Sequence, residues 1–222
     1  MNENLTEIVF IIDRSGSMHG LEADTIGGFN SVIDNQKKLD GDAIVTTILF
    51  SNEARLLHDR LPLGVIKPMT EQDYRPGGST ALLDALGQGI EKLDNVILHM
   101  GEENRAAHIQ FVVITDGMEN ASRRFRVEDI REKVEARRAQ GWDFLFLGAN
   151  MDAIAVSGRM GFRADRTVTT VSDSDGVKAQ YEAVNDAMVM NRCCSMRSTS
   201  GEIEYPTEWK EKVERDRARR GK

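Results

Sequence analysis

The feature that most limits the fold is the alternation of short apolar runs with longer amphipathic stretches. Ile8 to Ile12 are five bulky apolar residues in succession, and His108 to Thr115 forms a later run of the same kind. Runs without polar alternation are typical of strands that are covered on both faces. The stretches between them, such as Ala81 to Asn95, have the apolar spacing of helices. The chain is therefore predicted to be an α/β protein, a Rossmann-like three-layer sandwich with a mostly parallel central sheet and helices on both faces.

Two adjacent apolar segments predict that this sheet is mixed. Ala43 to Phe50 and Ala54 to Leu61 are separated only by Ser51-Asn52-Glu53. A connection this short joins antiparallel strands, because a parallel pair needs a crossover of a dozen or more residues. One antiparallel edge strand is therefore expected. The remaining strands are predicted at 7–13, 108–115, 142–147 and 167–171, and the helices at 24–38, 81–95, 127–139, 153–160 and 176–193.

Charge and composition exclude several function classes. The formal net charge is −7, so the body of the molecule repels nucleic-acid phosphates and anionic lipid surfaces. The apolar run near the start ends at Asp13, far short of a signal peptide or membrane span. The two cysteines are the neighbours Cys193 and Cys194, which cannot form a disulfide framework between distant segments. We expect no nucleic-acid partner, no membrane insertion and a cytoplasmic location.

The end of the chain differs in character from the rest. Thr207 to Lys222 contains seven Lys or Arg residues against four acidic ones, with few apolar residues. Such a pattern is typical of an exposed helix or frayed tail. The predicted organisation is therefore one domain over 1–199, followed by a charged tail or helix over 200–222.

Polar residues that follow the buried strands indicate where the chemistry lies. The first strand leads directly into Asp13-Arg14-Ser15-Gly16-Ser17, and the strand from His108 leads into Asp116-Gly117. A third loop, Gly77-Gly78-Ser79-Thr80, can reach the same edge of the sheet, where ligands bind in open α/β proteins. Hydroxyl and carboxylate oxygens, with no thiolate or imidazole nearby in the sequence, favour Mg²⁺, Mn²⁺ or Ca²⁺ over zinc or copper. Either Ser79 or Thr80 has a suitable hydroxyl.

These three fragments, in this order, resemble the von Willebrand factor type A (VWA) family, in the form of bacterial stand-alone cytoplasmic VWA proteins. That family carries a metal-ion-dependent adhesion site (MIDAS) with the pattern Asp-x-Ser-x-Ser, a Thr in a glycine-containing loop, and an Asp-Gly after a buried strand. The resemblance covers about residues 5 to 195. It favours Thr80 over Ser79 and implies that the metal residues are Asp13, Ser15, Ser17, Thr80 and Asp116.

By this resemblance the hydroxyls are direct or switchable ligands of the ion, Mg²⁺ or else Mn²⁺ or Ca²⁺, and the two aspartates act largely through water. A carboxylate of an Asp or Glu from a protein partner completes the metal's coordination. The implied function is a metal-dependent protein–protein interaction module, not an enzyme. Two alternatives remain: a metal-assisted phosphohydrolase using Asp13 and Asp116, and a self-assembling structural domain. A rim that contacts the partner is predicted from Met18, His19, Tyr74, Met118, Glu119 and Asn120.

Overall fold

A six-stranded sheet runs through the middle of the protein, in the order β3-β2-β1-β4-β5-β6. The computed structural model describes residues 1–194, 196–197, 203–204 and 206–220. The strands of the main sheet are β1 (Asn2–Asp13), β2 (Asp42–Phe50), β3 (Ala54–Pro62), β4 (Ala106–Thr115), β5 (Trp142–Ala149) and β6 (Thr167–Thr170). The helices are α1 (Glu22–Gln36), α2 (Leu82–Leu98), α3 (Val127–Arg138), α4 (Ala153–Arg159), α5 (Ser174–Cys194) and α6 (Glu211–Arg219). A two-residue antiparallel ladder joins β7 (Met196–Arg197) to β8 (Ile203–Glu204).

The predicted mixed sheet is confirmed. β3 pairs antiparallel with β2, whereas the pairs from β2 to β6 are parallel. The short connection between β2 and β3 accounts for this reversal. β1 begins five residues earlier than its apolar run predicts, because the polar residues from Asn2 onwards still pair with neighbouring strands, as Asn2 does with Ala106.

The central strands are buried on both faces, as their unbroken apolar runs predict. In β1, Phe10 and Ile12 pack in a cluster with α1 and α5, while Val9 and Ile11 pack in a second cluster with α2, α3 and α4. Trp142 of β5 belongs to the second cluster, where its ring stacks on Phe111 at 5.5 Å between centroids. The protein therefore has two apolar cores, one on each face of the sheet.

The charged C-terminal segment packs more closely against the rest of the protein than the sequence predicts. A turn of 3₁₀ helix leads into α6, and most side chains there are exposed, but Trp209 and Val213 are buried in the same cluster as Phe10. Two apolar residues four positions apart lie on the same face of a helix, so sparse apolar content was enough to dock the segment against β6 and α5. The predicted division between residues 199 and 200 lies outside the described residues.

Among the helices of the described residues, none has the length and apolar content that crossing a membrane requires.

Candidate metal centre

Two buried aspartates lie side by side where the central strands end. Asp13 is the last residue of β1, and Asp116 follows the last residue of the adjacent strand β4. The Oγ of Ser17 donates a 2.5 Å hydrogen bond to Oδ1 of Asp116, and it lies 3.0 Å from the Oγ of Ser15. The loop after β1 and the loop after β4 are thus joined directly by site residues that the sequence predicted.

Side-chain oxygens from three loops converge on one small space beside Gly117. A methyl group added at Gly117 would lie 2.9 Å from Oγ1 of Thr80, 3.2 Å from Oγ of Ser17 and 3.6 Å from Oδ2 of Asp13. Any residue other than glycine would therefore fill the space that these oxygens surround. This convergence brings the residues of all three predicted fragments together.

The loop before α2 presents Thr80 rather than Ser79 to this space. Thr80 is buried, and its backbone N–H donates to Oδ1 of Asn120 at 2.9 Å, while the N–H of Asn120 donates back to the Thr80 carbonyl at 3.0 Å. Ser79 is exposed, and its N–H is bound by Asn52 at 2.6 Å. The backbone bonds hold Thr80 against the loop after β4, beside Gly117.

All four carboxylate oxygens of the two aspartates accept hydrogen bonds. Oδ1 of Asp13 accepts from the N–H of Ser15 at 2.7 Å, and Oδ2 accepts from Oγ1 of Thr115 at 2.6 Å. Oδ2 of Asp116 accepts from Oγ of Ser172 at 3.0 Å, in addition to the bond from Ser17. No ion pair to either aspartate is found among the described residues. The two negative charges are therefore supported by hydroxyls and backbone alone.

The electrostatic consequence is visible at Asp13, which is fully buried. Burial raises the pKa of its carboxyl above the usual value, and the nearby charge of Asp116 raises it further, although the hydrogen bonds from Thr115 and Ser15 lower it. A buried carboxylate that lacks a cation is costly to ionise. A divalent ion in the space beside Gly117 would relieve that cost.

Sequence reasoning missed Thr115 and Ser172. Each is a hydroxyl residue close to the end of a strand, Thr115 at the end of β4 and Ser172 two residues after β6. Position at a strand end is a signal that the sequence did contain. Which carboxylate each hydroxyl bonds, however, depends on how strands far apart in the chain are ordered in the sheet.

The predicted rim is wrong at Met18 and Tyr74. Both are buried in the core on the α1 and α5 face, since an apolar side chain gains more from packing there than from exposure. The hydroxyl of Tyr74 donates to the backbone carbonyl of Asp13 at 2.6 Å and so supports the site from beneath.

Of the other rim residues, Glu119 makes hydrogen bonds within the protein. Its carboxylate accepts from the N–H of Leu83 at the start of α2 and from the hydroxyl of Ser122. His19 is exposed, with its Nδ1 3.4 Å from Glu22. Met118 and Asn120 are exposed beside the site.

The donor set fits a hard divalent cation. Among the described residues there is no group of three His, Cys, Asp or Glu side chains of the sort that forms a conventional metal cluster. The atoms that converge beside Gly117 are instead the hydroxyl oxygens of Thr80 and Ser17 and a carboxylate oxygen of Asp13, and the hydroxyl of Ser15 lies 3.0 Å from that of Ser17. Oxygen ligands of this kind suit Mg²⁺, Mn²⁺ or Ca²⁺, and a site with so few protein ligands leaves positions for water or another ligand.

Comparison with known proteins gives fold relatives only among solved structures. No protein-family model and no curated protein matches the sequence. A von Willebrand factor type A structure from Catenulispora acidiphila is 16% identical with a TM-score of 0.56, and the match covers 89% of this chain and 44% of that one. Two further relatives are proximal thread matrix protein 1 from the mussel byssus and the ArnB paralog VWA2 from Sulfolobus acidocaldarius.

The mussel protein, solved with a zinc-occupied MIDAS motif, is 14% identical with a TM-score of 0.55, and the match covers 85% of this chain and 47% of that one. The Sulfolobus protein is 16% identical with a TM-score of 0.54, covering 82% and 45%. This chain thus spans less than half the length of these relatives. At such identities the likeness concerns the fold, and it agrees with the strand order, the antiparallel edge and the helical layers described above: the chain has the von Willebrand factor type A fold.

Proposed function

We propose that this protein is a divalent-metal-dependent protein–protein interaction module. Ser15, Ser17 and Thr80 would hold a Mg²⁺ ion, or Mn²⁺ or Ca²⁺, with Asp13 and Asp116 behind them, and an Asp or Glu of a partner would complete the coordination. The observation that carries the proposal is the convergence of Thr80 Oγ1, Ser17 Oγ and Asp13 Oδ2 beside Gly117. The mussel relative with zinc in its MIDAS motif supports the capacity of this fold to hold a divalent ion there.

The ligand chemistry explains why the partner would be acidic. Hydroxyl ligands are neutral, so an ion held by them keeps more of its positive charge than an ion held by several carboxylates. Such an ion attracts an anionic oxygen from outside. Of the three hydroxyl residues, Ser17 is exposed whereas Ser15 and Thr80 are buried, so the partner would approach past Ser17.

The same contacts favour binding over catalysis. A general base must be free to accept a proton from a substrate or water. The oxygens of Asp13 and Asp116 already accept hydrogen bonds from within the protein, and Asp13 is fully buried. His19, the nearest imidazole in the sequence, lies beside Glu22 instead. We therefore propose no hydrolytic step at this site.

A cytoplasmic location forms part of the proposal. Cys193 is an exposed, free thiol. Free exposed thiols persist in reducing compartments, whereas secreted domains usually pair theirs.

Metal titration tests the site itself. Calorimetry with Mn²⁺ should give binding to the wild type that is lost in Thr80→Val, which removes the hydroxyl but keeps the shape of the side chain. Gly117→Ala, which would put a methyl group 2.9 Å from Thr80 Oγ1, should also abolish binding. Ser79→Ala is the matched control and should bind as the wild type does. Binding that is unchanged in both site variants would place the metal elsewhere.

Capture of partners tests the function. Immobilised wild-type protein, EDTA-treated protein and Thr80→Val would be compared, with folding checked by circular dichroism. A metal-bridged partner is retained only by the first. If all three retain it equally while folded, the metal-bridged mechanism is wrong, and a loss of folded protein on EDTA treatment would favour a structural metal.

A further inference from the structure

Ser172 contacts the candidate metal centre from the segment that follows the edge strand β6. Its Oγ donates to Oδ2 of Asp116 at 3.0 Å. Ser172 follows β6, which lies two strands away from β4 in the sheet. The end of β6 is held to β5 by a 3.3 Å hydrogen bond from Oγ1 of Thr170 to the carbonyl of Gly148. The half-buried Ser172 therefore follows a strand end that is held to the sheet.

Asp116 is bound on both oxygens by this arrangement. Ser17 donates to Oδ1 at 2.5 Å, and Ser172 donates to Oδ2. Each donor aligns a lone pair of the carboxylate with its own O–H. Charge-assisted bonds of this type are stronger than those between neutral groups, so rotation of the carboxylate towards a cation would cost the bond from Ser172.

We propose that Ser172 is a positioning residue that keeps Asp116 from coordinating the cation directly. A direct carboxylate ligand would neutralise part of the ion's charge and would take a coordination position. Held by Ser172, Asp116 instead acts on the ion through the Ser17 hydroxyl. The ion keeps both the charge and the open position with which it binds a partner's carboxylate. This inference rests on the function proposed above.

The proposal predicts that removing the Ser172 hydroxyl raises the affinity of the protein for Mn²⁺ and lowers the affinity of the bound ion for a carboxylate. In Ser172→Ala, Oδ2 of Asp116 loses its donor and turns to the ion. Mn²⁺ then binds about tenfold more tightly, a change of the size that outer residues of metal sites produce. The bound ion also loses a water ligand, and its affinity for added acetate, used as the probe for a partner carboxylate, falls. A purely structural serine would weaken Mn²⁺ binding or leave it unchanged.

Mn²⁺ electron paramagnetic resonance measures these quantities on the full chain. The signal of the free ion gives the affinity, line broadening in H₂¹⁷O counts the water ligands, and a titration with acetate gives the carboxylate affinity. Ser172→Thr keeps the hydroxyl and should match the wild type. Ser174→Ala, at an exposed serine at the start of α5, controls for changes in the neighbouring backbone.

The outcomes separate the two proposals. Tighter Mn²⁺ binding, loss of a water ligand and weaker acetate binding in Ser172→Ala alone support the positioning role. Wild-type binding that Thr80→Val abolishes, together with unchanged or weaker binding in Ser172→Ala, overturns the positioning role and leaves the metal site standing. Wild-type protein that binds no Mn²⁺ overturns both proposals.

Discussion

Buried carboxylates near the amino ends of the strands differ from those at the carboxyl ends. Glu7 of β1 lies opposite Ile44, near the start of β2, and is paired with Arg60 at 2.9 Å. Asp143, the second residue of β5, is paired with Arg166 at 3.2 Å. At the other end of β1, Asp13 is equally buried but has only hydroxyl and backbone donors. The carboxylates near the amino end are thus paired with arginines, whereas within the described part of the chain neither Asp13 nor Asp116 forms an ion pair. The difference supports the proposal that the carboxyl end of the sheet receives a cation from solution.

The largest effect on stability is expected from breaking the ion pair of Asp143 and Arg166. Arg166→Met removes the cation from Asp143, and the side chains of both residues are almost inaccessible. An uncompensated buried charge should cost about 3–5 kcal/mol of unfolding free energy, measured by urea denaturation. The double variant Asp143→Asn/Arg166→Met removes the charge but keeps an oxygen that can accept from Gln110 and Asn191, and it should recover much of the loss. If the double variant is no more stable than the single one, lost packing rather than lost charge explains the effect.

Adding Mg²⁺ that binds at the carboxyl end should raise the free energy of unfolding of the protein by a smaller amount. At a Mg²⁺ concentration about 100 times the dissociation constant, binding to the native state alone contributes about 2.7 kcal/mol. Thermal or urea unfolding with and without Mg²⁺ measures this increment, which Thr80→Val should remove. The increment should persist in Arg166→Met, because changes at separate sites with no shared partners are additive. An increment that disappears in Arg166→Met would show that the two ends are not independent.

The smallest effect is a gain in stability when the carboxyl end loses a charge. Burial raises the pKa of Asp13 in the folded state above its value in the unfolded chain. The free energy of unfolding therefore falls as the pH rises from the unfolded pKa to the folded pKa, and above both values this loss stays constant. In EDTA at pH 7, Asp13→Asn should therefore stabilise the protein by about 1 kcal/mol.

The pH dependence checks this interpretation of Asp13→Asn. At about pH 3, below the usual aspartate pKa, Asp13 is protonated in both states and the gain should disappear. With Mg²⁺ at pH 7 the wild type should gain more stability than the variant. A variant that is less stable than the wild type in EDTA at pH 7 would mean that the hydrogen bonds of Asp13 outweigh its burial cost.

The fold is predicted from local patterns and is confirmed, whereas the metal residues are implied by the resemblance of three loop fragments to a family motif, and their metal role stays a prediction. The apolar run of β1 and the short connection before β3 are sufficient for the mixed sheet. Asp13 and Ser17 lie within five residues, in a turn that follows directly from a strand. Tyr74 was wrongly assigned to the rim, because an aromatic residue in a loop has no periodic pattern to reveal its burial.

Ser172 and Arg166 belong to a class of residue that local patterns do not reveal. The bond from Ser172 to Asp116 spans 56 positions of sequence, and the pair of Arg166 with Asp143 spans 23. Their partners are determined by the order of strands in the sheet. A sequence pattern predicts which residues are strand ends, but the assembled sheet determines which strand ends meet.

The two tryptophans of the chain offer an optical consequence of the divided core. Trp142 is buried in the cluster beneath α2 and α3, and Trp209 is buried in the cluster beneath α1 and α5. Each indole is therefore a natural fluorophore for one layer of the sandwich. In each single variant, Trp142→Phe or Trp209→Phe, the emission of the remaining indole reports the solvation of one layer. Loosening of the layer that contains α6 can therefore be distinguished spectroscopically from global unfolding.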